Sequence, residues 1–468
     1  MGICGSGCAS IAMLAYEAGY RVSGCDRSSD SYYGEALLKL GIPIYTGHDA
    51  AHLTDDVDIV AVTPALFDIC PDHPELLEAS RRGILMTWQE FMGRYLQQGK
   101  RVIAVSGTHG KTTTTFLTAE LMIEAGLDPT VEGGSVYKKW NSGGRAGHSD
   151  WFLCEADEFN RNFHHYKPEI AVVNNVEMDH PECYRDFEEV LESFRYFLAA
   201  DPYLKTVLLN ADSEGALEVL KRVAGTRDME GVSVVLLSKD RAVSPDIPGI
   251  RFRNAVWRTV SKQAGGTVFE LEADGKTERF SMLLCGEYNV FNAAMSVLTA
   301  REAGGGDEAI RTALTHFAGA GRRFDCVGTL DGVPVYDDYA HHPTEISSVL
   351  TMCKEYFPER KVLAVFEPHQ ISRLTLMFDA YVDALTIADH VIIGKTFIGR
   401  EVRSNTVPIG GAQWMEASEK ITYEEAPERI LAIAESLIRE GECGIILVIG
   451  AANSYKLSRY LCSRGDHA

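Results

Sequence analysis

The stretch Lys100–Phe116, KRVIAVSGTHGKTTTTF, decides how the rest of the chain reads. Arg101 to Val105 is a short apolar, β-branched run of strand type. Gly107, Gly110, Lys111 and four threonines lead from it into helix-favouring sequence. Strand, glycine loop, helix is the order that phosphate chemistry needs. Backbone N–H groups at a helix N-terminus cradle phosphate only where no Cβ blocks the approach, a lysine reaches the terminal phosphates, and a hydroxyl holds Mg²⁺. Gly110, Lys111 and Thr112 therefore read as a phosphate-binding loop, the plainer alternative being a glycine turn before a helix. The common form asks for glycine five positions before Gly110, where this chain has Val105, so the match is to GTxGKT.

Around this loop lies a chain of 468 residues, longer than one core supports, which suggests roughly three domains. With 46% hydrophobic and 24% charged residues it has the composition of a soluble globular protein. Lys and Arg number 45 against 66 Asp and Glu, a formal charge of −21, which argues against a general nucleic-acid or anionic-membrane binder. Anionic substrates stay possible wherever a local lysine, arginine or Mg²⁺ works against the global sign. Eleven cysteines form no CxxC pair; Cys4 and Cys8 fall one helical turn apart, but no second pair answers them. Reduced thiols in a cytoplasmic compartment are the expectation, with no signal peptide and no apolar span of about 18 residues.

The opening, GICGSGC, places Gly2, Gly5 and Gly7 as G-x-x-G-x-G, with Asp26 about twenty positions on. This weak fingerprint points to a phosphate-bearing ligand on the first helix, and Asp26 reads equally as a cap. Only Met1 precedes the first glycine, so either a misplaced start or a missing first strand is expected. Further on, strand and helix alternate, as in a parallel sheet.

In the middle of the chain, Trp151–Cys154 reads as a strand delivering Glu155, Asp157 and Glu158. Glu169–His180 repeats the device with Asn175, Glu177, Asp179 and His180. The C-terminal ends of parallel strands are where such sheets bind ligands. Hard cations prefer oxygen, so Glu155 and Thr112 suit Mg²⁺ (or Mn²⁺) beside ATP phosphates, and His180 suits a second metal. Glu132–Gly144 has the composition of a substrate-approach loop, and residues 211–278 read as alternating helix and strand without chemistry. Asn289 and Asn292, three apart on a helix, suit the edge of adenine, with capping as the alternative for Asn289. In the last segment Arg322 and Arg323 follow two glycines at a domain junction, and DDYAHHPTE lacks the partners a zinc site would need.

GTHGKT, EADE through DH, GEYNVFNA and DDYAHHPTE, in this order, resemble the Mur ligases, which add amino acids to the peptidoglycan precursor. The resemblance is nearest to the branch that joins L-alanine to UDP-N-acetylmuramate. It implies an α/β fold of three domains: a Rossmann-like N-terminal domain (1–98), a central P-loop ATPase-type parallel sheet (99–321) and a Rossmann-like C-terminal domain (322–468). It further implies ATP on Gly107, Thr108, His109, Gly110, Lys111, Thr112, Thr113, Asn289, Asn292, Arg323 and Asp338, and metals at Thr112, Glu155 and His180. The substrates fall to Gly5, Gly7, Asp26, Tyr339, His341, His369 and Arg373, and catalysis to Lys111, Glu155, His180 and Arg323. The family pattern is broken by Tyr288, Ala340, Glu367 and Gln370, where histidine, glycine, glutamine and often a basic residue are usual. The expected assembly is a monomer or homodimer. Two alternatives stand beside this reading: a ligase of the family that recycles murein tripeptide, and a nucleotide-binding regulator without ligase chemistry.

Overall fold

In the computed structural model, which describes residues 1–28, 33–398, 409–451 and 453–463, Arg101–Ser106 is a strand buried from Val102 onward. It lies within a ten-stranded sheet. From one edge the order is Lys276–Met282, Gly266–Ala273, Phe252–Gln263, Ser233–Lys239, Thr206–Asn210, Ile170–Val173, Arg101–Ser106, Trp151–Ala156, Thr130–Tyr137 and Ser142–Arg145. Strands 101–106, 151–156 and 170–173 run parallel and in register, Ser106 pairing with both Ala156 and Val173. The residues after each of them therefore emerge along one edge. Their unbroken apolar runs are what burial on both faces of a parallel sheet demands.

Two expectations need correction here. Glu132–Gly144 is largely paired strand: Thr130–Tyr137 lies parallel to Trp151–Ala156 and antiparallel to Ser142–Arg145. Its glycines serve close packing. A Cβ on Gly133 would meet the Phe116 ring at 2.5 Å, and one on Gly143 would meet Ser10 Oγ at 2.3 Å. Likewise residues 211–278 do not simply alternate. After the helix Glu214–Ala224 and strand Ser233–Lys239, three neighbouring strands follow, the last two joined by an Asp274–Gly275 turn with both φ positive.

The first segment builds two small parallel pairs, Gly24–Asp26 with Ile44–Thr46 and Val60–Val62 with Leu85–Thr87. Met1–Ile3 runs between them. Gly2 and Ile3 donate to Cys25 O at 2.9 and 3.2 Å, while the Met1 amine donates to Ala61 O at 2.7 Å and Thr63 N donates to Met1 O at 3.1 Å. The slot of the expected first strand is thus filled by three residues. The helix Ser6–Glu17 follows, buried from Cys8 to Ala15.

By its internal contacts the chain divides into two units. One holds Met1–Ser261, Val268–Leu283 and Asn289–Ala320; the other holds Lys262–Thr267, Leu284–Tyr288 and Gly321–Ala468. The second unit carries a six-stranded sheet in the order Asp325–Leu330, Val333–Asp338, Ile445–Ile449, Val362–Phe366, His390–Ile393, Ile421–Tyr423. Only the first pair is antiparallel. Its two central strands, IILVI and VLAVF, are wholly buried. The helix Pro343–Tyr356 starts sharply because Pro343 sits at its first turn and His342 and Glu345 form a reciprocal cap.

Candidate active site

The phosphate loop is held open by its neighbours. Gly107 (φ +134°) and Gly110 (φ +81°) adopt backbone that side chains resist, and a Cβ on Gly110 would meet Asn292 Oδ1 at 2.6 Å. Asn175 clamps the loop: its Oδ1 accepts from His109 N (2.7 Å), its Nδ2 donates to His109 O (3.2 Å) and its carbonyl accepts from Thr108 N (3.2 Å). Thr108 Oγ1 accepts from Glu177 N at 2.9 Å, and Asn174 Nδ2 donates to Thr114 Oγ1 at 3.1 Å. Loop geometry is therefore set by the strand end 174–177. Thr112, Thr113, Thr114 and Thr115 lie buried in the helix Lys111–Glu124 that follows.

Lys111 Nζ donates to Gly107 O (2.6 Å), Thr108 O (3.3 Å) and Glu158 Oε2 (2.8 Å). Burial alone would push its ammonium down, but Glu158, Asp157 and Glu155 outweigh that and hold it above the usual lysine range. Lys111 is a fixed cation. Burial pushes the Glu158 carboxyl up, against the pull of Lys111.

One turn along, Thr112 Oγ1 donates to Glu155, 3.2 and 3.0 Å from its two oxygens, and Gly134 N donates to Glu155 Oε2 at 2.8 Å. Burial and the neighbouring Glu155 push Glu132 well above the carboxylate range. It is buried. Asp157, Glu158 and His180 each offer a ligand atom, all within 4.8 Å of one another. His180 (φ +55°) also lies 3.2 Å from Glu182 Oε1 through Nδ1. Burial lowers its basicity, and Asp179, Glu182, Glu158 and Asp157 more than restore it. Three carboxylates facing one lysine form a site short of positive charge. The oxygen set at Thr112 and Glu155 fits a hard divalent cation, and the mixed set around His180 fits a second. Asp157 and Glu158, which the sequence left beside the metal roles, are the residues that accompany His180.

Asn292 is buried on the helix Glu287–Glu302. It accepts from Thr114 Oγ1 at 3.2 Å and donates to Asn289 Oδ1 at 3.4 Å, so it braces the loop helix.

Within the second unit, Arg322 and Arg323 part company. Arg322 is buried, bonded to Asp337 (3.0 Å), Gly450 O (2.7 Å) and Ser454 Oγ (2.7 Å), as a structural clasp. Arg323 is the more exposed, lying over the Tyr339 ring at 5.3 Å and 3.7 Å from Glu345. Tyr339, His341 and His369 form a chain of edge-on rings, 5.6 and 6.2 Å between centroids. Asp338 turns inward, accepting from Phe324 N and Ala340 N at 2.7 Å each, and burial pushes its carboxyl up to about 6. Arg373 is buried in the short helix Ile371–Leu376.

In the opening glycine turn the roles are unequal. Gly5 is exposed at the start of its helix, a Cβ there meeting only Gly2 O at 3.4 Å, whereas a Cβ on Gly7 would strike the Trp88 ring at 2.3 Å. Gly5 leaves room for a ligand; Gly7 leaves room for Trp88. Asp26 accepts from Cys4 N (2.9 Å) and Arg27 N (2.7 Å), tying the turn to its strand.

Three family models match in sequence: "Mur ligase family, catalytic domain" over residues 1–100, "Mur ligase middle domain" over 105–300, and "Mur ligase, glutamate ligase domain" over 322–452. The chain is 32% identical over 457 residues to the UDP-N-acetylmuramate–L-alanine ligase of Aquifex aeolicus, covering 97% of this chain and 95% of that one. It is 33% identical over 466 residues to the same-named protein of Clavibacter michiganensis, covering 98% and 91%. Among solved structures, the UDP-N-acetylmuramate–alanine ligase of Thermotoga maritima superposes with a TM-score of 0.78 at 23% identity, covering 99% of this chain and 97% of that one. A murein peptide ligase of Psychrobacter arcticus reaches 0.71 at 22%, covering 100% and 98%. The α/β, three-domain architecture expected from the sequence is the architecture found.

Proposed function

The chain belongs to the Mur ligase family, and from that premise we propose that it is an ATP-dependent acid–amino-acid ligase joining L-alanine to UDP-N-acetylmuramate. The observation that carries this reading is the juxtaposition of Lys111, Thr112 and Glu155 with Asp157, Glu158 and His180 along one sheet edge. The names of the relatives supply the substrates.

ATP phosphates would lie against the N–H groups of the Gly107–Thr113 loop. Lys111 would leave Glu158 for the γ-phosphate, and Arg323 is assigned to nucleotide phosphate charge. Mg²⁺ or Mn²⁺ held by Thr112 and Glu155, with a second ion at His180, would neutralise phosphate charge. The lactoyl carboxylate attacks the γ-phosphorus and ADP leaves. The amine of L-alanine then attacks the acyl phosphate, expelling inorganic phosphate. The protein's share is positioning and exclusion of water. Asn289 and Asp338 are assigned to the nucleoside, with Asn292 bracing the loop; Tyr339, His341, His369 and Arg373 are assigned to the acceptor side, and Gly5 and Asp26 to the UDP. Glycine at position 7 answers packing first.

Among the described residues no helix is long and apolar enough to cross a membrane. A cytoplasmic enzyme acting as monomer or homodimer is consistent with the proposal. The deciding experiment measures phosphate release with UDP-N-acetylmuramate and, in turn, L-alanine or the recycled murein tripeptide as acceptor. Turnover with L-alanine is expected. Preference for the tripeptide would move the chain to the recycling branch, and nucleotide binding without ADP formation would make it a regulator.

A further inference from the structure

Away from the ligase site, the first segment gathers Cys25, His48, His52 and Glu75 from four separate pieces of chain: the strand Gly24–Asp26, the turn after the strand Ile44–Thr46, the one-turn helix Ala50–His52, and the helix Pro74–Arg81. Cys25 Sγ lies 3.1 Å from His48 Nδ1 and 3.3 Å from Glu75 Oε1. His48 Nδ1 is 3.6 Å from Glu75 Oε2, and His52 Nδ1 is 3.5 Å from Glu75 Oε1. Cys25, His52 and Glu75 each present one ligand atom, all within 4.8 Å of one another. Tetrahedral zinc with Zn–S of about 2.3 Å and Zn–N or Zn–O of about 2.0–2.1 Å separates its ligand atoms by about 3.3–3.6 Å. The separations from Glu75 to Cys25, His48 and His52 are close to such edges, the two histidines facing different Glu75 oxygens, and His48 joins the set through Cys25 and Glu75.

Hydrogen bonding alone leaves this cluster incomplete. The thiol has one proton to share among three close acceptors, and His52 Nδ1 is buried with no hydrogen-bond partner. The surroundings already hold the groups in place, as outer-shell contacts do around metals. Asp49 N donates to Glu75 Oε2 at 3.0 Å, the His52 ring stacks on Tyr45 at 4.7 Å, and His48 meets His73 edge-on at 5.6 Å. The strands that the cluster ties together are short, two pairs of three residues each.

We propose that Cys25, His48, His52 and Glu75 form a closed structural site for a thiophilic divalent cation, zinc by its sulfur–nitrogen–oxygen donor set, separate from the ions of the ligase reaction. Binding releases the thiol proton to solvent and leaves a Cys25 thiolate on the ion. All four donors are used, so the site carries no catalytic water. Because the Cys25 carbonyl accepts from Gly2 and Ile3, the ion also anchors the opening glycine turn.

The test uses the full chain, stripped with a chelator and titrated with Co²⁺ and then Zn²⁺. A thiolate-to-metal charge-transfer band and the intense visible bands of tetrahedral cobalt are expected, the charge-transfer band saturating at one Co²⁺ per chain above any cobalt held at the ligase site and lost on addition of one equivalent of Zn²⁺ to that site. Cys25→Ser should abolish the charge-transfer band and weaken Zn²⁺ binding at least ~10-fold, His52→Ala should weaken it comparably, and Glu155→Gln should leave the band intact. Co²⁺ bound without a thiolate band would overturn the proposal, as would Cys25→Ser binding Zn²⁺ like the parent. Should Cys25→Ser fail to fold, the spectrum of the unaltered chain decides alone. This outcome is independent of whether the ligase assignment holds.

Discussion

Two glycine-rich turns, each opening a helix, sit in the first unit and have different physical lives. The turn at Gly107–Gly110 follows a six-residue strand paired on both sides and is clamped by Asn175. The turn at Gly2–Gly7 follows nothing longer than Met1 and is pinned by Asp26 and by bonds to Cys25. One is pre-formed by a large sheet; the other depends on small local ties. A glycine motif therefore states where phosphate could approach, and the sheet behind it states how firmly the site is held.

The sharpest way to break this contrast is at its strong end. Lys111→Ala removes the fixed cation and is expected to lower kcat for phosphate release by at least ~10³-fold, in the range of lost transition-state charge stabilisation. Retained turnover would show that the loop lysine does not serve the reaction. The weak end answers differently: Gly5→Ala puts a Cβ on the exposed face of the opening turn and is expected to raise KM for UDP-N-acetylmuramate more than it lowers kcat.

Next in size are substitutions that move Glu155. Glu155→Gln, and Gly134→Ala, whose Cβ would come within 2.8 Å of the Glu155 carboxylate, should each cost ~10²-fold in kcat and raise the Mg²⁺ concentration needed for half-maximal rate. Unchanged Mg²⁺ dependence in both would remove Glu155 from the metal role.

How far the sequence could be read follows the same divide. The strand–loop–helix at Lys100–Phe116 and the acidic ends after Trp151 and Glu169 were legible, because apolar runs with chemistry-bearing residues at one end have few other uses in a parallel sheet. The stretch Glu132–Gly144 was not, since its glycines make room for Phe116, Ser10 and Met13, side chains distant in sequence. At Gly7 the packing partner, Trp88, is likewise distant in sequence. Asp157 joins His180 only through the tertiary turn after residue 156. The Cys25, His48, His52, Glu75 cluster is likewise invisible as a motif, because its spacing in sequence follows no metal-binding pattern and four elements bring it together.

Smaller effects separate packing from chemistry. Gly7→Ala forces a methyl group into the Trp88 ring and should destabilise the chain by about 1–3 kcal/mol in denaturant unfolding. A neutral result would return Gly7 to the ligand. Smallest is Asp201→Asn. Asp201 is buried, accepts from Tyr203 N at 2.8 Å and has Oδ2 unbonded, and burial pushes its carboxyl up to about 6. A carboxyl raised on folding gives up stability as pH climbs from about 4 to about 6, where the unfolded chain ionises and the folded one does not. Asparagine removes that loss, so unfolding followed by pH should show a gain on the order of 1 kcal/mol above pH 6 and none at pH 4. An equal gain at both would place the effect in packing.

The central claim is that triphosphate at the Lys111 loop activates a carboxylate. Turnover of UDP-N-acetylmuramate carrying ¹⁸O in its lactoyl carboxylate, with ATP and L-alanine, tests it directly. One labelled oxygen is expected in each inorganic phosphate released. Unlabelled phosphate alongside full amide formation would contradict the acyl-phosphate route, and with it the role assigned to the loop and its acidic edge.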